Sequence, residues 1–243
     1  MTEQIVLPRS RHEERFIASE QLVRLVMRTA SAHLQLARDD LPYQWLTTCY
    51  CDTVDWNVYR AAEEGAAVRL RFREYHRTRP EQIFGSEQLF LEVKEDIGDR
   101  WRKERVAIRS AEIPAYLRGE SPMRIESRDL QRAAQGLVTA GARPVVVTQY
   151  NRLAYAAPDD RMRVTADHNL SYLAVPWTNN NDDAIPGRIG PVLARERDVI
   201  VEMKWFDELP LWAEELHGFL KQRAPLDRPS KFIMAMRHLL GKG

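Results

Sequence analysis

Cysteine is almost missing from this chain, and neither sign of charge is in surplus. Among the 243 residues the only cysteines are Cys49 and Cys51. Their spacing in YQWLTTCYCDT puts both on one face of a strand, a poor arrangement for a structural disulfide. A metal pair would need a second pair of thiols, and none is present. We read them as reduced core thiols and expect a cytoplasmic protein. Lys and Arg number 36 against 35 Asp and Glu, a net charge of +1. That balance excludes an evenly basic nucleic-acid coat, so any cationic site must come from uneven placement of charge. No apolar run approaches the roughly 20 residues needed to cross a bilayer. The start, MTEQIVLPRSRHEERF, lacks the basic-then-apolar order of a signal peptide. GxxxxGK[ST], GxGxxG after a strand, HExxH and GxSxG are missing too. The six histidines are scattered; His168, beside Asp167, is the only one near a charged strand and reads as structural.

The composition that is present, 44% hydrophobic and 29% charged, is that of a soluble globular protein, and the length suits one domain over 1–243. Ser19 is placed to cap a helix over EQLVRLVMRTASAHLQLA, where Leu22, Val23, Val26, Met27, Ala30 and Leu34 form a stripe of helical period. After LPYQW the period becomes two. Strands are expected at WLTTCYCD, AAVRLRFREY, EQLFLEVKE, RKERVAIRS, RPVVVTQYNRLAY, DRMRVTADH and RDVIVEMKW. Helices are expected around ESRDLQRAAQGL, ELPLWAEELHGFLKQ and SKFIMAMRHLL, and PWTNNNDDAIPG reads as a polar loop. There is no internal repeat or obvious linker. With strands in the middle and helices flanking them, the class is α+β.

The two-residue period of a strand sorts the charges. Arg69, Arg71 and Arg73 share a face opposite Leu70 and Phe72. Glu92 shares a face with Lys94; Lys103, Arg105 and Arg109 share another; Tyr150 goes with Arg152, Arg161 and Arg163 with Asp167, and Glu202 with Lys204. Each strand alone could be the wet face of an antiparallel sheet. Together the cations far outnumber the carboxylates Glu92, Asp167 and Glu202, whereas like charges opposite one another across strands destabilise a sheet. Strands that enclose a polyanion would account for the excess, with arginine forks and lysine ammoniums on phosphate oxygens. The carboxylates suit a hard cation such as magnesium or manganese. Glu202 could equally be an ion-pair partner of Lys204 or Arg163.

In order along the chain, EERF, YCDT, RLRFREY, FLEVK, RKERV, YNRLAY, RVTAD, VIVEMK and SKF resemble the VTC domain, the polyphosphate polymerase module of the vacuolar transporter chaperone family. That family belongs to the triphosphate tunnel metalloenzyme (CYTH-like) superfamily. The resemblance covers nearly the whole chain, and the YNRLAY element with the terminal SKF carries most of its specificity. It implies an antiparallel β-barrel tunnel with a polar cationic lumen, flanked by helices. It also implies that Arg71, Arg73, Lys94, Lys103, Arg152 and Lys231 act on the phosphates, that Arg15, Arg69, Tyr150 and Ser230 help to bind them, and that Glu202 holds Mn2+ or Mg2+. The strand alternation adds Arg163 to the binding set and Glu92 as a weaker metal candidate. Arg15 stands where the family commonly has lysine. The chain shows no SPX sensor domain, so coupling synthesis to translocation would require a membrane partner.

The reaction expected from the resemblance is ATP-dependent polyphosphate synthesis. Hydrolysis of inorganic tripolyphosphate or nucleoside triphosphates would use the same residues, and a non-catalytic polyanion-binding module is a third possibility. Ser230 is also well placed to cap a C-terminal helix that begins with Lys231 and closes one tunnel mouth.

Overall fold

Alternation of apolar and charged residues decides the architecture, because it gives each strand one face for helices and another for a lumen. The computed structural model describes residues 3–4, 11–38, 40–97, 100–175, 187, 189–224 and 229–242. Most of the expected polar loop, 176–186, lies outside the described residues. In chain order the elements are β1 (Glu3–Gln4), β2 (Arg11–Ala18), α1 (Glu20–His33), β3 (Gln35–Leu36), β4 (Tyr43–Asp52), α2 (Asn57–Glu63), β5 (Val68–His76), β6 (Leu89–Ile97) and β7 (Arg100–Ala107). A 3-10 turn then leads to α3 (Ile113–Leu117), α4 (Arg128–Thr139), β8 (Arg143–Ala156), β9 (Met162–Ala174), β10 (Val192–Arg195), β11 (Val199–Phe206), α5 (Leu211–Arg223) and α6 (Lys231–Leu239).

The strands form one antiparallel sheet in the order β1-β7-β6-β5-β4-β8-β9-β11-β2, with β10 beside β9 and β3 beside β8. Among the described residues no ladder joins the two ends, so the expected barrel is open by hydrogen bonding. It is nonetheless strongly curled. The Glu13 carboxylate on the last strand of the path is felt by Lys94 on β6, near the other end.

The outer face carries two apolar cores. Phe16, Val164, Ala166, Val201 and Met203 pack under Val23, Val26 and Ala30 of α1 and under Leu216 and Leu220 of α5. Leu70, Phe72, Leu91 and Val93 pack under Ile113 of α3 and Leu130 and Ala134 of α4, together with Cys49 and Cys51. Both thiols are free and buried, as expected. Each fully buried side chain of this kind contributes about 1.5–3 kcal/mol, which is what holds the helices down. Ser19 caps α1 through Leu22 N (3.4 Å). The helix stops at His33, short of the expected Ala37, because Gln35 and Leu36 pair with Ala156 and Tyr155 of β8.

Buried carboxylates on the strands also tie down loops. Asp52 accepts from the backbone N–H of Thr53, Val58 and Tyr59, which starts α2. Glu74 accepts from Phe84 and Ser86, and Glu104 from Glu126 and Ser127 ahead of α4. Two expected members of the cationic faces lie outside them. Arg109 falls beyond the end of β7, where its backbone N–H donates to Glu112 and its side chain is exposed. Arg161 precedes β9 and pairs at the surface with Asp207.

The inner face carries the expected polar cationic lumen, and one end of it is apolar. There Phe232, Ala235 and Met236 of α6 pack on Tyr50, Tyr150, Tyr172 and Ile200. The C-terminal helix therefore seats across one end of the tunnel.

Candidate functional site

The register of the ladders converts the sequence alternation into a lined interior. Arg69, Arg71 and Arg73 of β5 stand opposite Lys94, Glu92 and Phe90 of β6. Lys103 and Arg105 of β7 stand opposite Lys94 and Glu92. On the far wall Arg152 faces Asp167, and Glu202 lies between Arg15 and Thr165. Arg71, Arg73, Lys94, Lys103, Arg152, Lys231, Arg15, Arg69, Tyr150, Glu92 and Glu202 are thus brought to one interior.

Three groupings organise it. In the first, Glu92, 0% exposed, receives Arg71 at 2.6 Å and Lys103 at 2.7 Å, with Arg73 at 3.9 Å. Arg73 also donates to Thr48 Oγ1 (3.1 Å) and to the Tyr150 hydroxyl (3.5 Å). Next to this group Asp96 pairs with Arg69 and lies 3.3 Å from Lys94 Nζ. In the second, Arg152 donates to both oxygens of Asp167 at 2.6 and 2.7 Å, and Lys231 Nζ lies 2.7 Å from Oδ2. In the third, Lys204 Nζ lies 2.5 Å from Glu202 and 3.1 Å from Glu13, while Arg15 donates to Glu13 at 2.6 Å and lies 3.7 Å from Glu202. The ion-pair role that the sequence left open for Glu202 is therefore present, with Lys204 and not with Arg163.

Burial works to raise the Glu92 carboxyl, but Arg71, Lys103 and Arg73 hold it well below the usual carboxylate range. Glu202 is likewise held low by Lys204, Arg152 and Arg15 against its burial. Burial, aided by Arg71 and Arg73, pulls the Lys103 ammonium down to about 7 despite Glu92. Burial and Arg69 bring Lys94 to about 8. Burial would raise the Tyr50 phenol, yet Arg71, Arg73, Lys231 and Arg69 bring it below its ordinary value. These shifts record an interior with more positive charge than its carboxylates neutralise.

Arg163 is the outlier. It is half-buried and bonded to Asp160 at 2.7 Å. It sits at the rim of a cavity of about 300 Å3 that it lines with Arg105, Arg152, Tyr75 and Phe90. Ser230 caps α6, accepting from Ile233 N at 3.3 Å. Lys231 follows at the first turn, and Asp167 supplies the structural reason for a lysine there. Glu13, Asp96 and Tyr50 were not singled out from the sequence. Asp96 continues an alternation that was visible, with Glu92 and Lys94, whereas Glu13 and Tyr50 lie on strand faces that the sequence did not mark as charged.

Residues 10–240 match the VTC domain. The chain belongs to the VTC domain family. No curated protein matches it. In fold, this VTC domain is similar to a putative adenylate cyclase from Bacillus halodurans, with 10% identity, a TM-score of 0.52, and 91% of this chain and 97% of that chain covered. It is also similar to a putative adenylyl cyclase from Hippeastrum described as revealing a dominant triphosphatase activity, with 14% identity, a TM-score of 0.50, and 97% of each chain covered. At such identities the likeness establishes the fold alone. Among the described residues of the VTC domain no helix is long and apolar enough to cross a membrane.

Proposed function

We propose that this VTC domain carries out metal-dependent phosphoryl transfer on a triphosphate or polyphosphate chain, and that its reaction is ATP-dependent polyphosphate synthesis. The observation that supports this reading is the enclosed set of cations, in excess of the carboxylates beside them, converging on Tyr150 from β5, β8 and α6. Phosphoryl transfer needs positioning and charge stabilisation more than covalent help from the protein. Arg71, Arg73, Lys94, Lys103, Arg152 and Lys231 would hold the non-bridging oxygens. Arg15, Arg69 and Tyr150 would extend the grip, and Arg163 would guide the chain at the open rim. The Ser230 hydroxyl accepts from the helix, so its proton is left to donate to a phosphate.

The family implies a divalent metal, and the residues present fit one. No three His, Cys, Asp or Glu side chains converge among the described residues, but magnesium and manganese commonly take one or two carboxylates and complete their shell with phosphate oxygens and water. Glu202 and Glu13 share Lys204, and Glu202 lies close enough to push against ionisation of the Glu13 carboxyl. Glu202 Oε1 and Glu92 Oε1 are both buried without a hydrogen bond of normal geometry, each beside a lysine, Lys204 at 2.5 Å and Lys103 at 2.7 Å. Glu92 is ringed by three cations, a field that opposes a second divalent ion. Glu202 with Glu13 would hold the ion, which would supply charge neutralisation on the phosphates.

A second reading, hydrolysis of tripolyphosphate or nucleoside triphosphates, draws on the cavity at the open end. That cavity reaches Arg152 and could admit water as the acceptor. Incubation with ATP and manganese, followed by separation of polyphosphate from free phosphate, tests both. Long-chain product supports synthesis, and orthophosphate alone supports hydrolysis. Absence of both leaves a polyanion-binding module and sinks the enzymatic reading.

A further inference from the structure

Asp167 is 0% exposed in the middle of β9, and one carboxylate there holds cations from two other elements. Arg152 of β8 presents Nε to Oδ1 and Nη2 to Oδ2, a side-on fork. Lys231 of α6 places Nζ 2.7 Å from Oδ2. Both cations lie against the Tyr150 ring, Arg152 Cζ at 5.2 Å and Lys231 Nζ at 4.8 Å from its centroid. A guanidinium has five N–H donors and an ammonium three. The fork engages one defined edge of Arg152, and the lysine contact engages one donor of Lys231. What remains, chiefly the Nη1 donors of Arg152 and two protons of Lys231, is thereby given a fixed direction. One negative charge against two positive ones leaves the group cationic, so it is not a self-satisfied ion pair. Without the carboxylate, two like charges beside one ring would repel each other.

We propose that Asp167 is a positioning residue: it fixes which donors of Arg152 and Lys231 face the lumen, and so aligns cations from β8 and α6 for one phosphate chain. Asp167 itself does not touch the substrate, since both of its oxygens are occupied. The inference rests on the reading of the lumen as a phosphate site. It also makes the seating of α6 part of the site's geometry, because Lys231 reaches the lumen only with the helix in place.

Asp167→Asn keeps the shape but turns one acceptor into a donor and adds to the net positive charge. Tripolyphosphate affinity, read by calorimetry, should hold or tighten, while kcat for ATP with manganese falls roughly 10- to 100-fold, as misplaced groups do. A purely structural role predicts the reverse pattern, a lower melting temperature with unchanged kcat per folded molecule. Asp167→Glu retains the charge and moves the oxygens by one methylene. It should fold, bind tripolyphosphate like the parent and show an intermediate kcat, and it decides the matter if the asparagine variant does not fold. Parent-like kcat in the folded variants would overturn the role of Asp167 alone. A parent protein that binds no tripolyphosphate would overturn the phosphate reading, and this proposal with it.

Discussion

Lys103 reaches diagonally across the β6–β7 ladder to Glu92, 2.7 Å away, because the residue directly opposite it is another lysine, Lys94. Two ammoniums face to face would destabilise the pair of strands. Each is drawn off to a different carboxylate, Lys94 to Asp96 at 3.3 Å. Even so, burial leaves Lys103 at about 7 and Lys94 at about 8, below the ordinary 10.5.

Those two lysines give the empty protein an unusual pH dependence. Between pH 7 and 9 the unfolded chain keeps both protons while the folded chain sheds them, so the unfolded state binds more protons and stability rises with pH. From about pH 8 the buried thiols act the other way, since unfolded thiols begin to ionise there while burial keeps these two protonated, so the rise slackens towards pH 9. Urea titrations at pH 7, 8 and 9 should show a climbing midpoint without ligand. Tripolyphosphate affinity should fall over the same range, with proton uptake on binding. A flat or falling stability across this window would rule out the depressed lysines.

Glu92→Gln would leave Arg71 and Lys103 buried beside a neutral amide. Removing one partner of a buried pair costs about 3 kcal/mol, which denaturant titration of the ligand-free variant would read. Saturating tripolyphosphate should return most of that loss, because it binds only the folded state and supplies the missing negative charge. A variant as stable as the parent, or one that phosphate cannot rescue, would contradict this account.

Glu202→Gln should lower turnover about 100-fold, the cost typical of losing one preorganised electrostatic group. The loss should be greatest at limiting manganese, with the circular dichroism spectrum unchanged. Parent rates at limiting manganese would remove Glu202 from the metal site.

Lys231→Ala removes one charged donor from the phosphate grip and leaves Asp167 its fork with Arg152. Loss of a charged hydrogen bond costs about 2 kcal/mol, or roughly 30-fold in tripolyphosphate affinity. Calorimetric titration measures it, and an unchanged affinity together with an unchanged rate would return Lys231 to a structural role.

The charged strands β5 to β9 and β11 were legible because arginine and lysine alternate there with Leu, Phe and Val, a pattern that only a two-sided strand explains. The main helices were legible from their apolar stripes, and Ser19 and Ser230 marked two starts. β2 was not legible as a strand, since RHEERFIA is polar on both faces. Glu14 points outward to His217 and Lys221 of α5 and hides the alternation that places Glu13 inside. α2 escaped notice because its starting N–H groups are held by Asp52, at the end of the preceding strand, and Trp56 enters it in a left-handed conformation (φ 58°). The apolar end of the lumen was hidden for another reason. Tyr50 and Ile200 look like outward core residues until α6 is seated on them.

Cys49 and Cys51 lie near the centre of the strand order, on β4, beneath the helical layer formed by α3 and α4. No reagent can reach them while that layer stays in place, and their sulfurs resist ionisation until it lifts. The chain therefore carries its own timer for opening of the sheet. Labelling by a thiol reagent should follow the rate or the equilibrium of that opening, depending on reagent concentration. A polyanion bound in the lumen should slow the labelling even though it never comes near the sulfurs, so occupancy of the tunnel can be read from the opposite side of the wall.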